Sequence, residues 1–254
     1  MKKNVLKIAL MAVAMTLGLA SCVGDQEENP SYIGGYYTIS GDMATGYTLY
    51  QDGGGIIKPD MQVIYQQVGK TGFENHERAY LAFSYKEENI KDVDGGCIID
   101  GAELMTGNYI PVLKLMSVDD ARDKNIISTD SLFNVSKLDG AVAYRGYLTT
   151  SMTIQPAIKD GKQVNPTATL IYDPSTVSDN KVSLTICYNR HAAKDAPVGY
   201  SGSLTASFPI TDLAGVVPGN DSIYVTLNAL GAASATFKIG RDDLRKGNYL
   251  PYKN

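Results

Sequence analysis

Cys22 is the residue whose neighbours commit it most clearly to a particular chemistry. It closes the run Leu19-Ala20-Ser21-Cys22, which follows a basic start (Lys2, Lys3, Lys7) and an apolar stretch from Ile8 to Ala20. Small side chains at Ala20 and Ser21 let the backbone lie extended in a protease cleft, and the thiol of Cys22 can accept a diacylglycerol. The run reads as a lipobox. Its apolar stretch is shorter than the roughly 20 residues that a membrane-spanning helix needs, and it suits the core of a secretory signal. Residues 1–21 are therefore expected to be a cleaved lipoprotein signal peptide, with Cys22 the lipid-modified first residue of the mature chain. Several acyl chains on one cysteine, diacylglycerol and palmitate, hold firmly, since each buried CH₂ contributes about 0.8 kcal/mol.

No other residue set reaches that specificity, and no catalytic, cofactor-binding or metal-binding residues are assigned. The two histidines, His76 and His191, stand far apart among polar neighbours. A tetrahedral zinc site needs several His or Cys ligands that the nearby sequence does not supply. Asp92-Val93-Asp94-Gly95 opens like a calcium loop, and Glu103 stands eleven residues after Asp92. However, Gly96 replaces the third acid and Cys97 the turn glycine, so a tight turn with solvated acids is the expectation. Gly199-Tyr200-Ser201-Gly202-Ser203 has its second glycine one place too early for a nucleophile elbow. Gly53-Gly54-Gly55 lacks the Lys and Ser/Thr of a phosphate loop and reads as a hairpin turn. The separation of paired carboxylates for glycoside hydrolysis is a three-dimensional quantity that sequence does not give. Tyrosines crowd the first half (Tyr32, Tyr36, Tyr37, Tyr47, Tyr50) and would serve either as a ligand platform or as ordinary strand packing. Cys97 and Cys187 are either joined across domains, which the compartment allows, or remain two buried thiols.

Losing the signal peptide removes three lysines and no acid, taking the net charge from −4 to −7 and leaving 233 residues. An acidic chain is a poor partner for nucleic acid, which needs clustered Lys and Arg, and for anionic lipid head groups. Membrane attachment is thus expected through the lipid on Cys22. Residues 22–30 follow as an acidic, aperiodic tether containing Asp25, Glu27 and Glu28.

Beyond the tether, apolar and polar residues alternate with period two. Val182, Leu184, Ile186 and Tyr188 alternate with Ser183, Thr185 and Cys187, and Ile223, Val225 and Leu227 with Tyr224 and Thr226. Such runs, bounded by Gly, Pro, Asn and Asp, predict half-buried strands. Five are expected near 35–40, 46–51, 61–68, 79–86 and 97–105, and seven near 134–138, 147–155, 167–173, 181–189, 200–208, 222–228 and 234–239. The best helical segment is Val118–Lys124. The charged stretch from Ser117 to Thr129 breaks the alternation and predicts a boundary. The division is then 31–118, an OB-like barrel; 119–130, a linker; and 131–254, an antiparallel β-sandwich. Glu103-Leu104-Met105-Thr106-Gly107-Asn108-Tyr109-Ile110-Pro111 echoes Asp243-Leu244-Arg245-Lys246-Gly247-Asn248-Tyr249-Leu250-Pro251, which is read as shared Gly-Asn turn chemistry rather than a duplicated domain.

With lipobox, acidic tether, barrel and sandwich in this order, the chain resembles the NigD-like lipoproteins of Bacteroidetes. Gly46-Tyr47-Thr48-Leu49-Tyr50-Gln51-Asp52-Gly53-Gly54 resembles that family's early hairpin, and Glu77-Arg78-Ala79-Tyr80-Leu81-Ala82-Phe83 its fourth strand. Tyr144-Arg145-Gly146-Tyr147-Leu148, Val182–Asn189 and Gly199–Ser203 resemble its sandwich. The chain departs from the family in having no tryptophan and in a longer loop from Ile158 to Pro166. The resemblance implies an outer-membrane lipoprotein facing the periplasm or the cell exterior. Its acidic tether is either a surface-export signal or a solvated linker. The family has no settled activity; its name comes from association with a bacteriocin gene cluster. The leading expectation is a non-enzymatic envelope protein that binds another envelope protein or an oligosaccharide. Bacteriocin immunity is the alternative.

Overall fold

A computed structural model describes residues 29–94, 96–127, 133–218, 221–245 and Tyr252. Cys22, the signal peptide and the tether up to residue 28 lie outside the described residues. The chain forms two compact β-rich units. Among the described residues, one runs from 29 to 109 and includes Tyr252, and the other runs from 110 to 245.

In the first unit the strands are β1 (Ser31–Asp42), β2 (Gly46–Gln51) and β3 (Ile56–Pro59). After helix α1 (Met61–Val68) come β4 (Arg78–Tyr85), β5 (Ile90–Val93) and β6 (Gly96–Tyr109). The first half of β1 pairs with β4 and its second half with β2, so one long strand serves both neighbours. β2 pairs with β3, β4 with β6, and β3 closes the barrel by pairing parallel to β6 at Ile57 and Ile99. This is the connectivity of a five-stranded OB barrel, with β5 a short addition on β6. Period two sends Ile33, Tyr37, Leu49, Leu81, Phe83 and Ile99 inward, and all are buried.

The segment 61–68 is a helix and not the expected strand. Its Met61, Val63 and Tyr65 imitate alternation, but Met61, Ile64 and Val68 also stand at helical spacing and pack on the barrel core. Asp60 decides between the two, because its carboxylate accepts the backbone N–H groups of Gln62 (2.8 Å) and Val63 (3.1 Å). The third barrel strand lies just upstream instead. The three glycines after Asp52 do form the expected hairpin turn, all at positive φ (91°, 106° and 132°).

The second unit contains β7 (Leu115–Ser117), α2 (Val118–Asp123), β8 (Lys137–Tyr144), β9 (Tyr147–Ile154), β10 (Ile158–Lys159) and β11 (Lys162–Gln163). It continues with β12 (Thr167–Tyr172), β13 (Lys181–Asn189), β14 (Gly202–Pro209), α3 (Leu213–Val216), β15 (Ser222–Ala229) and β16 (Ala235–Gly240). A five-stranded sheet β16-β15-β13-β12-β7 faces a three-stranded sheet β14-β9-β8. They share one core that includes Leu148 and Met152 of β9, Phe208 of β14, Leu184 of β13 and Val225 of β15. The larger sheet is mixed rather than antiparallel, because β13 and β15 run parallel, as do β12 and β7. Between β13 and β15 the chain crosses to the opposite sheet as β14, the kind of long connection that parallel neighbours require.

The domain limits shift accordingly. The boundary falls after Tyr109, not within 119–130. Leu115–Ser117 is an edge strand of the sandwich, and Ser117 Oγ caps α2 by accepting the Asp120 N–H (3.1 Å). The charges that imitate a linker are the solvent face of this short helix, whose Ala121 is buried. At the other end, Tyr252 returns to the barrel. Its backbone pairs with Cys97, its ring is buried, and its hydroxyl donates to Gln51 Oε1 (3.0 Å). A Cβ on Gly55 would collide with that ring.

Candidate functional site

The residues singled out for chemistry remain dispersed. His76 stacks flat on Tyr109 (ring centroids 3.4 Å apart, 7° between planes), whereas His191 Nε2 shares a hydrogen bond with Thr167 Oγ1 (2.7 Å) in the other unit. Asp92 and Asp94 flank the tight β5–β6 hairpin, where Val93 faces Gly96. Glu103 stands six positions beyond Cys97 on β6, roughly 20 Å along the strand at about 3.3 Å per residue. Among the described residues, no group of three or more His, Cys, Asp or Glu could hold a metal. Gly202 and Ser203 begin β14, and no helix follows them as a nucleophile elbow would require.

Cys97 and Cys187 are unbridged and buried, one in each unit. Burial pushes both thiols up, Cys187 to about 11. The first-half tyrosines do not form one platform. Tyr37 and Tyr47 enter the barrel core, Tyr36 meets Tyr80 edge-on, and Tyr32 is exposed. Gly107 and Asn108 make no turn. They continue β6 opposite Leu81 and Tyr80, with Gly107 leaving room for the Leu81 side chain. The second copy of that echo falls mostly outside the described residues.

Cavities, one in each unit, are the remaining candidates. The barrel carries one of about 410 Å³. Phe73, Leu81, Leu104 and Tyr109 line it together with the amides of Gln67 and Asn108. Tyr109 Oη donates to the Gly72 carbonyl (3.2 Å), fixing one wall.

The other cavity, about 370 Å³, opens at the end of the sandwich where β9, β13 and β15 terminate. Phe133, Asn134, Gln155, Arg190, Lys194 and Leu230 line it. Phe133 is placed by an antiparallel bridge to Tyr188, and Val135 N–H donates to the Leu230 carbonyl (2.8 Å). Tyr188 Oη donates to the Gln155 carbonyl (3.1 Å), so the core of β13 anchors the opposite wall. Burial pushes the Tyr188 hydroxyl up to about 12, against the opposing effect of the Arg190 charge.

Arg190 is itself only 9 % exposed. Its guanidinium carbon lies 4.0 Å from the centre of the Phe133 ring, and Nη2 donates to the Lys194 carbonyl (3.2 Å). Its buried Nε makes no hydrogen bond among the described residues. Sequence reading passed over Arg190 in favour of His191. The available signal was a cation directly after an alternating strand in an acidic chain.

No family model matches the chain, and neither does any curated protein. Similar solved structures include proteins of Bacteroides and Parabacteroides. A Bacteroides vulgatus protein of unknown function superposes with a TM-score of 0.55 at 15 % identity, over 83 % of this chain and 90 % of its own. A Bacteroides fragilis protein provisionally described as a lipoprotein gives 0.54 at 12 % identity, over 84 % and 98 %. A Bacteroides caccae protein named a NigD-like immunity protein gives 0.51 at 13 % identity, over 78 % and 86 %. The chain has the NigD-like fold. Two of the segments quoted for that resemblance meet in the barrel, because Arg78 of the fourth strand grips Asp52 of the early hairpin. At these identities the likeness is one of fold. The cation-bearing cavity is a feature of this chain's own residues on the NigD-like frame.

Proposed function

We propose that this chain is a lipid-anchored protein of the outer membrane that acts by binding, with its two β-units facing the periplasm or the cell exterior. The lipobox ending at Cys22 supports the anchoring, as does the fold likeness to a protein provisionally described as a lipoprotein. The observation that carries binding is the cavity at the sandwich end. It offers two cations, two side-chain amides and an apolar wall. Such groups hold and orient a ligand without supplying a nucleophile and base pair. Its partner is an oligosaccharide or another envelope protein.

Replacing Cys22 by Ser tests the anchor. The variant should be found as unprocessed precursor or as soluble protein removed by a high-pH wash, and membrane-retained mature variant would refute lipid attachment. A second reading, bacteriocin self-protection, draws on likeness to the Bacteroides caccae protein named for immunity. It requires that deleting the gene sensitise cells to a peptide bacteriocin, and unchanged sensitivity would dismiss it.

A further inference from the structure

We infer that the cavity at the end of the sandwich is a site for a carboxylated sugar, with Arg190 and Lys194 receiving the carboxylate and Asn134 and Gln155 the ring hydroxyls. This rests on the binding role proposed above and names its ligand class. Charge is the first argument. Among the described residues, both charged side chains lining the cavity are cations, in a chain whose overall charge is negative. Arg190 makes no ion pair among the described residues, although it is nine-tenths buried. A buried guanidinium left without a carboxylate is costly, and a ligand carboxylate supplies its natural partner. The Phe133 ring beneath it and the Lys194 carbonyl beside it hold the planar group in place before any ligand arrives.

The neutral walls narrow the class. Asn134 and Gln155 each carry a donor and an acceptor, the pairing that sugar hydroxyls need. Gly231, at φ +87°, allows Asn134 its position, since a Cβ there would stand 3.0 Å from Asn134 Cβ. An extended peptide would instead seek a free strand edge to pair with. At this rim the edge is spent, because Phe133 is bridged to Tyr188 and Val135 to Leu230. A compact, hydroxyl-rich acid fits what remains.

The test is calorimetric titration of the full chain in detergent with trigalacturonate, its methyl ester and a tripeptide with a free C-terminus. Trigalacturonate should bind, and the ester, equal in hydroxyls but uncharged, should bind at least roughly tenfold more weakly. Exposed Lys194→Gln should weaken the acid severalfold without altering the fold. Arg190→Lys, which keeps the charge but loses the planar fork, should weaken it further. Equal affinity for acid and ester, preference for the tripeptide, no measurable trigalacturonate binding, or indifference to Lys194→Gln would each overturn the assignment. Binding of an envelope component that survives both substitutions would overturn this site while leaving the general binding role intact. The Cys22→Ser fractionation judges the anchor separately.

Discussion

Arg78 is fully buried and its partner Asp52 nearly so, joined by two parallel hydrogen bonds of 2.7 and 2.5 Å, with Thr38 Oγ1 taking a third (2.8 Å). Bidentate geometry offsets much of the desolvation that such a pair costs, but removing one partner strands a buried charge. Asp52→Ala or Arg78→Ala should therefore destabilise the barrel by about 3–5 kcal/mol, whereas Arg78→Met combined with Asp52→Ala should recover part of that loss. Amide hydrogen exchange across β1, β2 and β4 measures both; additive losses in the double variant would contradict the pairing argument.

Cys187 makes a pH prediction. An unfolded thiol ionises near 9, and burial in the fold raises Cys187 to about 11. The unfolded chain then gives up its proton first. The corresponding stability is complete below pH 9 and is lost as pH rises towards 11. Cys187→Ala should flatten the stability profile in that window, and an unchanged slope would assign the alkaline loss elsewhere. At pH 8 only about one folded Cys187 in a thousand is thiolate, so a thiol reagent should label it only on unfolding.

At the scale of elements, the barrel depends on a piece of chain that arrives from the far end of the sequence. Tyr252 pairs with Cys97 and fills space above Gly55. Tyr252→Ala removes a buried aromatic and should cost about 3–5 kcal/mol, reported first by the amides of β6. A fragment of residues 29–109 should gain thermal stability when a peptide of residues 249–254 is added, and the gain should rise with the logarithm of peptide concentration. No response to the peptide would mean that the barrel is complete without it. The cap of α1 is a smaller contribution, since Asp60→Ala should cost about 1 kcal/mol. Residues 61–68 fit alternation and helical spacing alike, and the capping Asp60 immediately before them is the local signal that separates the two.

For the whole molecule, one large hydrophobic core organises each unit, and a smaller cluster of Met116, Ala121, Ile171 and Cys187 packs α2 onto the larger sheet of the second. Folding held by apolar burial and backbone pairing needs no ion. Chelator should leave the melting temperature unchanged; a fall reversed by calcium would restore Asp92, Asp94 and Glu103 as ligands. Limited proteolysis should spare Leu115–Asp123, which overlaps the expected linker 119–130, because it is edge strand and capped helix.

Local chemistry was legible in the residues themselves. The glycine hairpin after Asp52, the helix at Val118 and most strands follow from side-chain size, turn geometry and period two, which act over a few neighbours. Partnership was not legible. Nothing in the alternation of β13 and β15 says that they run parallel, or that β7 belongs with β12, because period two fixes which face a strand buries but not which strand lies beside it. The same limit hid Tyr252 behind Cys97, and it hid Arg190 beside Phe133, residues that are 57 positions apart in sequence and 4.0 Å apart as guanidinium and ring. A buried cation facing a cavity is a property of three strand ends meeting, and only the tertiary structure brings those ends together.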